Sequence, residues 1–160
     1  EDWKVYQQDK ASYFMVQETN WAEYVKKLKN PHYTIFFAAK DNLGGGSHPE
    51  LTELLHELGL TSDLKEKAHW GYMAIIDGDT LLYEQLSEDA LDYECDINGN
   101  HVKLVSESYT QGNRASIQIN YKEYFVNRRG IGIVVYDKIL GDVVDCVTFD
   151  FHGGGTPYRS

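Results

Sequence analysis

The spacing of apolar residues predicts a first amphipathic helix near the N-terminus. Trp21, Tyr24, Val25 and Leu28 recur at helical intervals, with polar residues between them. Thr19 precedes this stripe and is predicted to be the N-cap. The Asn-Pro pair at positions 30 and 31 predicts the end of the helix.

A second helix is predicted after the first strand. Leu51, Leu54, Leu55 and Leu58 form its apolar stripe, and Gly59 provides the expected stop. Ser47 and Glu50 have the spacing of a capping box. The preceding run of three glycines, 44–46, fits neither nucleotide-binding fingerprint, so a loop that enters a capped helix is the better interpretation.

Strand-like runs fill the remainder of the chain. Segments 33–39 and 131–136 are apolar on both faces, which is typical of central strands. Asn98 and Gly99 are a strong hairpin signal, and Asn120 to Lys122 form another turn. Further strands are predicted at 13–16, 70–76, 80–86, 91–97, 101–106, 116–119, 123–126 and 142–150.

Together these elements predict an α+β fold. We expect a compact β-sandwich of mostly antiparallel strands with two flanking helices, forming a single domain over residues 1–152. The glycine-rich tail, 153–160, is predicted to be a linker.

Composition and charge limit the classes of partner. The formal net charge of −10 would repel a phosphate backbone, so nucleic acid is not an expected partner. No apolar run approaches the ~20 residues needed to cross a bilayer, so membrane insertion is not expected. The chain begins at Glu1 rather than Met, which is typical of a mature or excised segment.

The reactive residue types form no convincing constellation. Cys95 and Cys146 are expected to be two buried thiols, although a single disulfide between strands is an open alternative. The calcium-loop-like spacing after Asp96 lacks the glycine of that motif and is better explained as a hairpin. No zinc, nucleophile-elbow or other catalytic motif appears, so neither a cofactor nor catalysis is expected.

The aromatic content favours a different function. Twelve tyrosines and three tryptophans are many for this length. Aromatic rings can stack on the apolar face of a sugar while neighbouring polar groups bind its hydroxyls, although most such rings pack in cores. Trp70, beside His69 at a strand start, is the best single candidate.

Two blocks of sequence resemble a known family. Residues 127–137 contain Arg-Gly-Ile, and the following strand ends in Phe-Asp at position 150. A second block has Lys-Asp after the strand at 33–39, Leu-Gly at 58 and 59, and a strand that begins at Trp70. These features resemble the interleukin-like epithelial–mesenchymal-transition inducer domain, a family that includes the stem domain of protein O-mannose β-1,2-N-acetylglucosaminyltransferase.

The two blocks stand in the reverse of the family order. Two interpretations follow: the chain is a circular permutation, or it is a slice across two neighbouring copies. Permutation is favoured, and it requires Asp150 to lie close to the start of the first helix. The same order resembles bacterial domains attached to glycan-handling enzymes.

The resemblance implies a non-catalytic, lectin-like carbohydrate-binding module. The implied ligand is a glycan or polysaccharide of the N-acetylglucosamine type, and the implied context is a larger glycan-modifying or cell-surface protein with flanking domains, at an extracellular or cell-surface location. The residues that match the family pattern are Lys40, Asp41, Trp70, Arg129 and Asp150. A structural role is an open alternative for several of them, because an arginine and an aspartate at strand ends can satisfy the backbone or each other. Four further candidates lie near the same strands: Asn113, Arg114, Tyr121 and Arg128.

Two other classes of function stay open. A protein-interaction or signalling domain without sugar binding is the main alternative, because the secreted family members act as signals. A small hydrolase would need two convergent carboxylates in a cleft.

Overall fold

The fold was analysed in a computed structural model that describes residues 18–44 and 50–160. The described helices are α1 (Trp21–Leu28) and α2 (Glu50–Glu57). The described strands are β1 (Tyr33–Lys40), β2 (Gly71–Asp77), β3 (Thr80–Ser87), β4 (Leu91–Ile97), β5 (Asn100–Ser106), β6 (Ala115–Ile119), β7 (Lys122–Glu123), β8 (Gly130–Asp137), β9 (Asp142–Asp150) and β10 (Thr156–Tyr158). Neither described helix is long and apolar enough to cross a membrane.

The strands form two antiparallel sheets that pack as a sandwich. The larger sheet has the order β10-β9-β8-β1-β2-β3, and the smaller has the order β4-β5-β6-β7. The two helices pack on the outer face of the larger sheet. The predicted α+β sandwich with two flanking helices is therefore confirmed.

Strand β1 shows why some segments are apolar at every position. Tyr33, Ile35, Phe37 and Ala39 belong to the core beneath the helices, whereas Phe36 and Ala38 belong to the core between the sheets. Successive side chains of a strand point to opposite faces, so a central strand of this larger sheet needs apolar residues on both. The central positions predicted for β1 and β8 are confirmed.

The N-cap of α1 differs from the predicted one. Asn20, not Thr19, caps the helix, because its Oδ1 accepts a hydrogen bond from the Glu23 backbone N–H at 3.0 Å. Thr19 lies one residue too far from the first turn to make this contact. The predicted capping box at Ser47 and the predicted strand at 13–16 lie outside the described residues.

The sandwich has two distinct ends. One, the hairpin end, carries the four turns at residues 78–79, 98–99, 120–121 and 138–141. The other, the loop end, carries the end of β1, the starts of β2 and β8, and the end of β9. The hairpin predicted at Asn98 and Gly99 is confirmed, and both residues have positive φ, 51° and 81°.

Part of the predicted linker belongs to the sheet. Residues 156–158 form β10, which pairs with the last residues of β9. Beyond it, the Arg159 guanidinium binds the Asp145 carboxylate, with Nε to Oδ1 at 3.1 Å, and donates to the Glu18 carbonyl at 3.3 Å. The tail after residue 153 is thus held against β9 by backbone pairing and by an ion pair.

The start of α1 lies against the end of β9, as a permuted chain requires. The Trp21 ring packs edge-on against Phe149 and Phe151, with both centroid distances at 4.9 Å. Asp150 lies between these two phenylalanines in sequence. The spatial requirement is met, and the permutation itself stays a prediction.

The two cysteines are free and half-buried. Cys95 lies in β4 and Cys146 in β9, and both side chains face the core between the sheets. Burial raises the pKa of Cys146 to about 11. This is the environment of structural thiols and not of reactive ones.

Candidate functional site

The structure brings the residues predicted to bind a ligand to the loop end, except Tyr121, which lies at the hairpin end. Lys40 is in register with Gly130, the residue after Arg129, and Trp70 immediately precedes β2. Asp150 closes β9, the neighbour of β8. Residues far apart in the chain thus meet because antiparallel strands start and end together.

Asp150 and Arg129 bind each other. The Arg129 guanidinium donates to both carboxylate oxygens, at 3.0 and 2.7 Å, and the Gly153 N–H donates to Oδ1 at 3.0 Å. Burial alone would raise the pKa of Asp150, but these hydrogen bonds hold it below its usual value. This geometry secures the end of β9, so a direct ligand contact by either residue stays a prediction.

Lys40 and Asp41 connect the end of β1 to neighbouring loops. The Lys40 ammonium donates to Asn127 Oδ1 at 2.8 Å. Asp41 has a φ of 69°, and its carbonyl accepts from the Tyr109 N–H at 3.0 Å. Both residues therefore have a structural role in joining β1 to the loops that follow β5 and precede β8.

Asn113 and Arg114 lie in the exposed loop after β5. Asn113 adopts a φ of 56°, and its N–H donates to the Ser108 carbonyl at 2.8 Å. Arg114 pairs with Glu107 at 3.3 Å on the surface. Neither contact prevents these side chains from reaching a ligand.

Trp70 is less available than the sequence suggested. Its ring is half-buried against the core beneath the helices, and the Lys67 ammonium lies 4.9 Å from the ring centroid. Tyr109 is the aromatic residue that the loop end exposes, at 65%. Its ring centroid lies 6.4 Å from that of His69.

The hairpin end holds a small pocket between the two sheets. Its volume is about 240 Å³, below the ~300–1,000 Å³ of pockets for drug-sized ligands. Two aromatic rings, two amides and two charged groups contribute to the lining: Tyr124, Tyr136, Asn100, Asn120, Lys122 and Asp142. Such a volume suits one sugar ring, and these groups are the kinds that bind one.

The polar groups of this pocket are positioned by contacts within the hairpins. Asn120 donates from Nδ2 to Asn100 Oδ1 at 2.9 Å and accepts from the His101 N–H at 2.9 Å. The Lys122 ammonium lies 5.1 Å from the centroid of the Tyr124 ring. Because these side chains are fixed before a ligand arrives, little conformational entropy would be lost on binding.

Tyr121 lies in the turn between the pocket residues Asn120 and Lys122, in a strained backbone conformation, but its ring is not part of the pocket lining. It follows Asn120 in the turn between β6 and β7, with a φ of 68°, and its side chain is 78% exposed. A bulky residue in the left-handed region is an outlier that burial usually has to justify. Burial gives no such justification here, which makes Tyr121 a candidate for function.

The His101 ring packs against one face of the Tyr121 ring. The two rings are stacked, with centroids 4.9 Å apart and planes 21° apart. The His101 ring nitrogens lie 3.0 Å from Asp96 and 2.7 Å from Glu94. Hydrogen bonds to Asp96 and Glu94 raise the pKa of His101, because both carboxylates favour the doubly protonated ring.

Tyr121 is among the further candidates predicted from the sequence, but none of the residues that line the pocket was predicted. They come from three separate hairpins, so no local spacing links them. One signal was available: the turn at 120–121 has the same geometry as the Asn-Gly turn at 98–99 but carries tyrosine where glycine is favoured. Among the residues that the structure describes, no group of three His, Cys, Asp or Glu side chains could hold a metal ion.

Comparisons of the chain with protein families, with curated proteins and with solved structures find no match. The resemblance to the interleukin-like inducer domain therefore stays a prediction, and the candidate sites rest on their own geometry.

Proposed function

We propose that this chain is a non-catalytic carbohydrate-binding module whose site is at the hairpin end and is formed by the Tyr121 ring and by polar groups of the pocket, which is lined by its sequence neighbours Asn120 and Lys122. The exposed ring of Tyr121, held in a strained turn over His101, is the observation that carries the proposal. A ring in this setting offers a flat apolar surface on which a pyranose can stack.

The pocket supplies the polar half of the recognition. Amide groups of Asn100 and Asn120 can both donate and accept, and Lys122 and Asp142 add one charge of each sign. Sugar hydroxyls need this mixture, because each both donates and accepts. A glycan of the N-acetylglucosamine type also has an acetamido group that an amide can bind, in keeping with the resemblance noted from the sequence.

We expect weak binding at a single site. A small polar ligand must displace bound water from a pocket that is open to solvent, and this leaves little net free energy. A module of this kind would gain its effective affinity from repeated copies or from flanking domains in a larger protein.

A glycan array probed with a multivalent form of the domain tests the proposal. The expected result is a set of hits that share one terminal sugar. Tyr121→Ala should abolish these hits, whereas Tyr109→Ala, the matched exposed tyrosine at the loop end, should leave them unchanged. A blank array with folded protein would overturn the proposal and favour a protein-interaction domain.

The same array distinguishes the two ends of the sandwich. If binding survives Tyr121→Ala but is lost in Tyr109→Ala and Trp70→Ala, the glycan site is the loop end predicted from the sequence. That outcome would keep the function and refute the pocket.

A further inference from the structure

A larger groove opens on the helix side of the hairpin end. Its volume is about 760 Å³, within the range of sites for small organic ligands. The C-terminal ends of α1 and α2 form one side, and the turn between β2 and β3 forms the other. The glycan pocket lies on the opposite face of the larger sheet, so the two cavities are separate.

The apolar part of the groove lining is contributed by the core. Leu28, Ile35, Leu58 and Ile76 line it, and each is at least nine-tenths buried. These side chains belong to the core beneath the helices, so the small surface that they leave in the groove is preformed. An alkyl chain could lie on it with little rearrangement.

The groove lining has a net negative charge, because its two lysines are each paired with a carboxylate and one further carboxylate remains. Lys138 binds Asp77 at 2.7 Å, and Lys29 binds Glu57 at 3.6 Å, so each lysine of the lining already has a carboxylate. Asp79 remains, and its contact in the described part of the chain is the Thr80 hydroxyl at 3.4 Å.

The C-terminal ends of the two helices make the groove more negative, and His56 does little to oppose this. The Nε2 atom of His56 lies 2.9 Å from the Ser62 carbonyl, so the ring is engaged by the backbone. Residues 28–30 and 56–59 line the groove, and helix C-termini carry a partial negative charge of about half a unit each. The chain as a whole carries a formal charge of −10. An anion would therefore be repelled from the groove and a cation attracted.

We propose that this groove binds an organic cation, an amine carried on an apolar chain, with the ammonium at Asp79 and the alkyl part on the leucine and isoleucine surface. The ion pair at Asp77 stays in place, because Thr34 also donates to that carboxylate at 3.0 Å and burial makes its loss costly. The inference does not depend on glycan binding.

The test is an NMR titration of amide shifts with hexylamine, hexan-1-ol and hexanoate, three probes with the same alkyl chain. Hexylamine should shift the amides of residues 57–59 and 77–80 at lower concentration than hexan-1-ol, and hexanoate should not shift them. Equal effects of hexylamine and hexan-1-ol would overturn the role of charge. The absence of localised shifts with hexylamine would overturn the site.

A pair of variants separates this site from general attraction to an acidic protein. Asp79→Asn should weaken hexylamine binding about five-fold, the effect of one partly exposed ion pair, and should fold normally because asparagine suits a turn. Asp63→Asn removes an equal charge outside the groove lining and should change nothing at the groove. Equal weakening by both variants would refute the assignment of Asp79.

Discussion

Replacement of Tyr121 by glycine tests whether this residue is retained for binding or for stability. The chain contains its own reference, because Asn98 and Gly99 form the same turn with φ values of 51° and 81°, close to the 51° and 68° of Asn120 and Tyr121. Tyr121→Gly would convert the second turn into the sequence of the first. The wild type and the variant then differ in the tyrosine side chain and in the conformational freedom of glycine.

Three contributions set the expected free energy of unfolding. The left-handed conformation costs a residue other than glycine ~1–2 kcal/mol, which the substitution releases. Glycine loses ~0.5–1 kcal/mol through its greater freedom in the unfolded chain. The lost ring contact with His101 is of the order of 0.5–1.5 kcal/mol, at the low end for so exposed a pair. The net change is therefore expected within about 1 kcal/mol of zero, as these terms oppose each other.

Urea unfolding followed by circular dichroism measures this change, and the glycan array measures binding by the same variant. We expect the Tyr121→Gly variant to have a stability near that of the wild type and to lose glycan binding. Gly99→Tyr is the reverse control: no atom lies within 4 Å of its added Cβ, so strain alone should destabilise it by about 1 kcal/mol. A loss of more than about 2 kcal/mol in Tyr121→Gly would show that the ring is structural and would refute the argument.

Two further predictions concern His101 and Gly130. Because the pKa of His101 is raised in the folded state, its stabilising effect is complete below the unfolded pKa, about 6.5, and is lost as the pH rises through the higher folded value. The His101→Gln variant should therefore lose less stability than the wild type over that range in urea unfolding. Gly130→Ala should destabilise the protein by about 3 kcal/mol or more, because the added Cβ would collide with the Phe149 carbonyl oxygen. Residue 130 also has a φ of 126°, which an alanine rarely adopts. Gly154→Ala, with a φ of 98° and no atom within 4 Å, should cost far less, and an equal loss in thermal or urea unfolding would contradict the packing of β8 on β9.

The framework of the sandwich could be predicted because its signals are local. Apolar runs on both faces identify β1 and β8, and Asn-Gly identifies the β4–β5 hairpin. The strand predicted at 123–126 is different in the structure, where β7 covers only Lys122–Glu123. Glu123 stops that strand because its carboxylate accepts from the Ile117 and Phe125 N–H groups, at 2.9 and 3.0 Å, in place of ladder carbonyls. The pattern of apolar and polar residues does not show that a side chain will replace a backbone hydrogen-bond partner.

The candidate ligand residues were selected because they match the family pattern, and several of them lie at strand ends, where polar side chains also stabilise the fold. Arg129 and Asp150 illustrate this: their residue types fit sugar recognition, yet their geometry secures the end of β9. Sequence cannot distinguish the two roles, because both require the same donors and acceptors. The distinction depends on whether a partner is already present, which is a property of the folded chain.

The contrast between the two ends of the sandwich follows from this distinction. At the loop end, polar side chains secure the long connections: Lys40 donates to Asn127, and Arg129 binds Asp150, which also accepts from the Gly153 N–H. At the hairpin end, three of the four turns have only two residues, and the strands beside them pair through their backbones, so a side chain such as that of Tyr121 need not contribute to the fold. Tyr121 is the clearest case, since its left-handed backbone has a cost in free energy that a glycine would not have. A tight antiparallel turn is thus a rigid support on which some side chains are not needed to stabilise the fold. This is why we propose that binding occurs at the hairpin end.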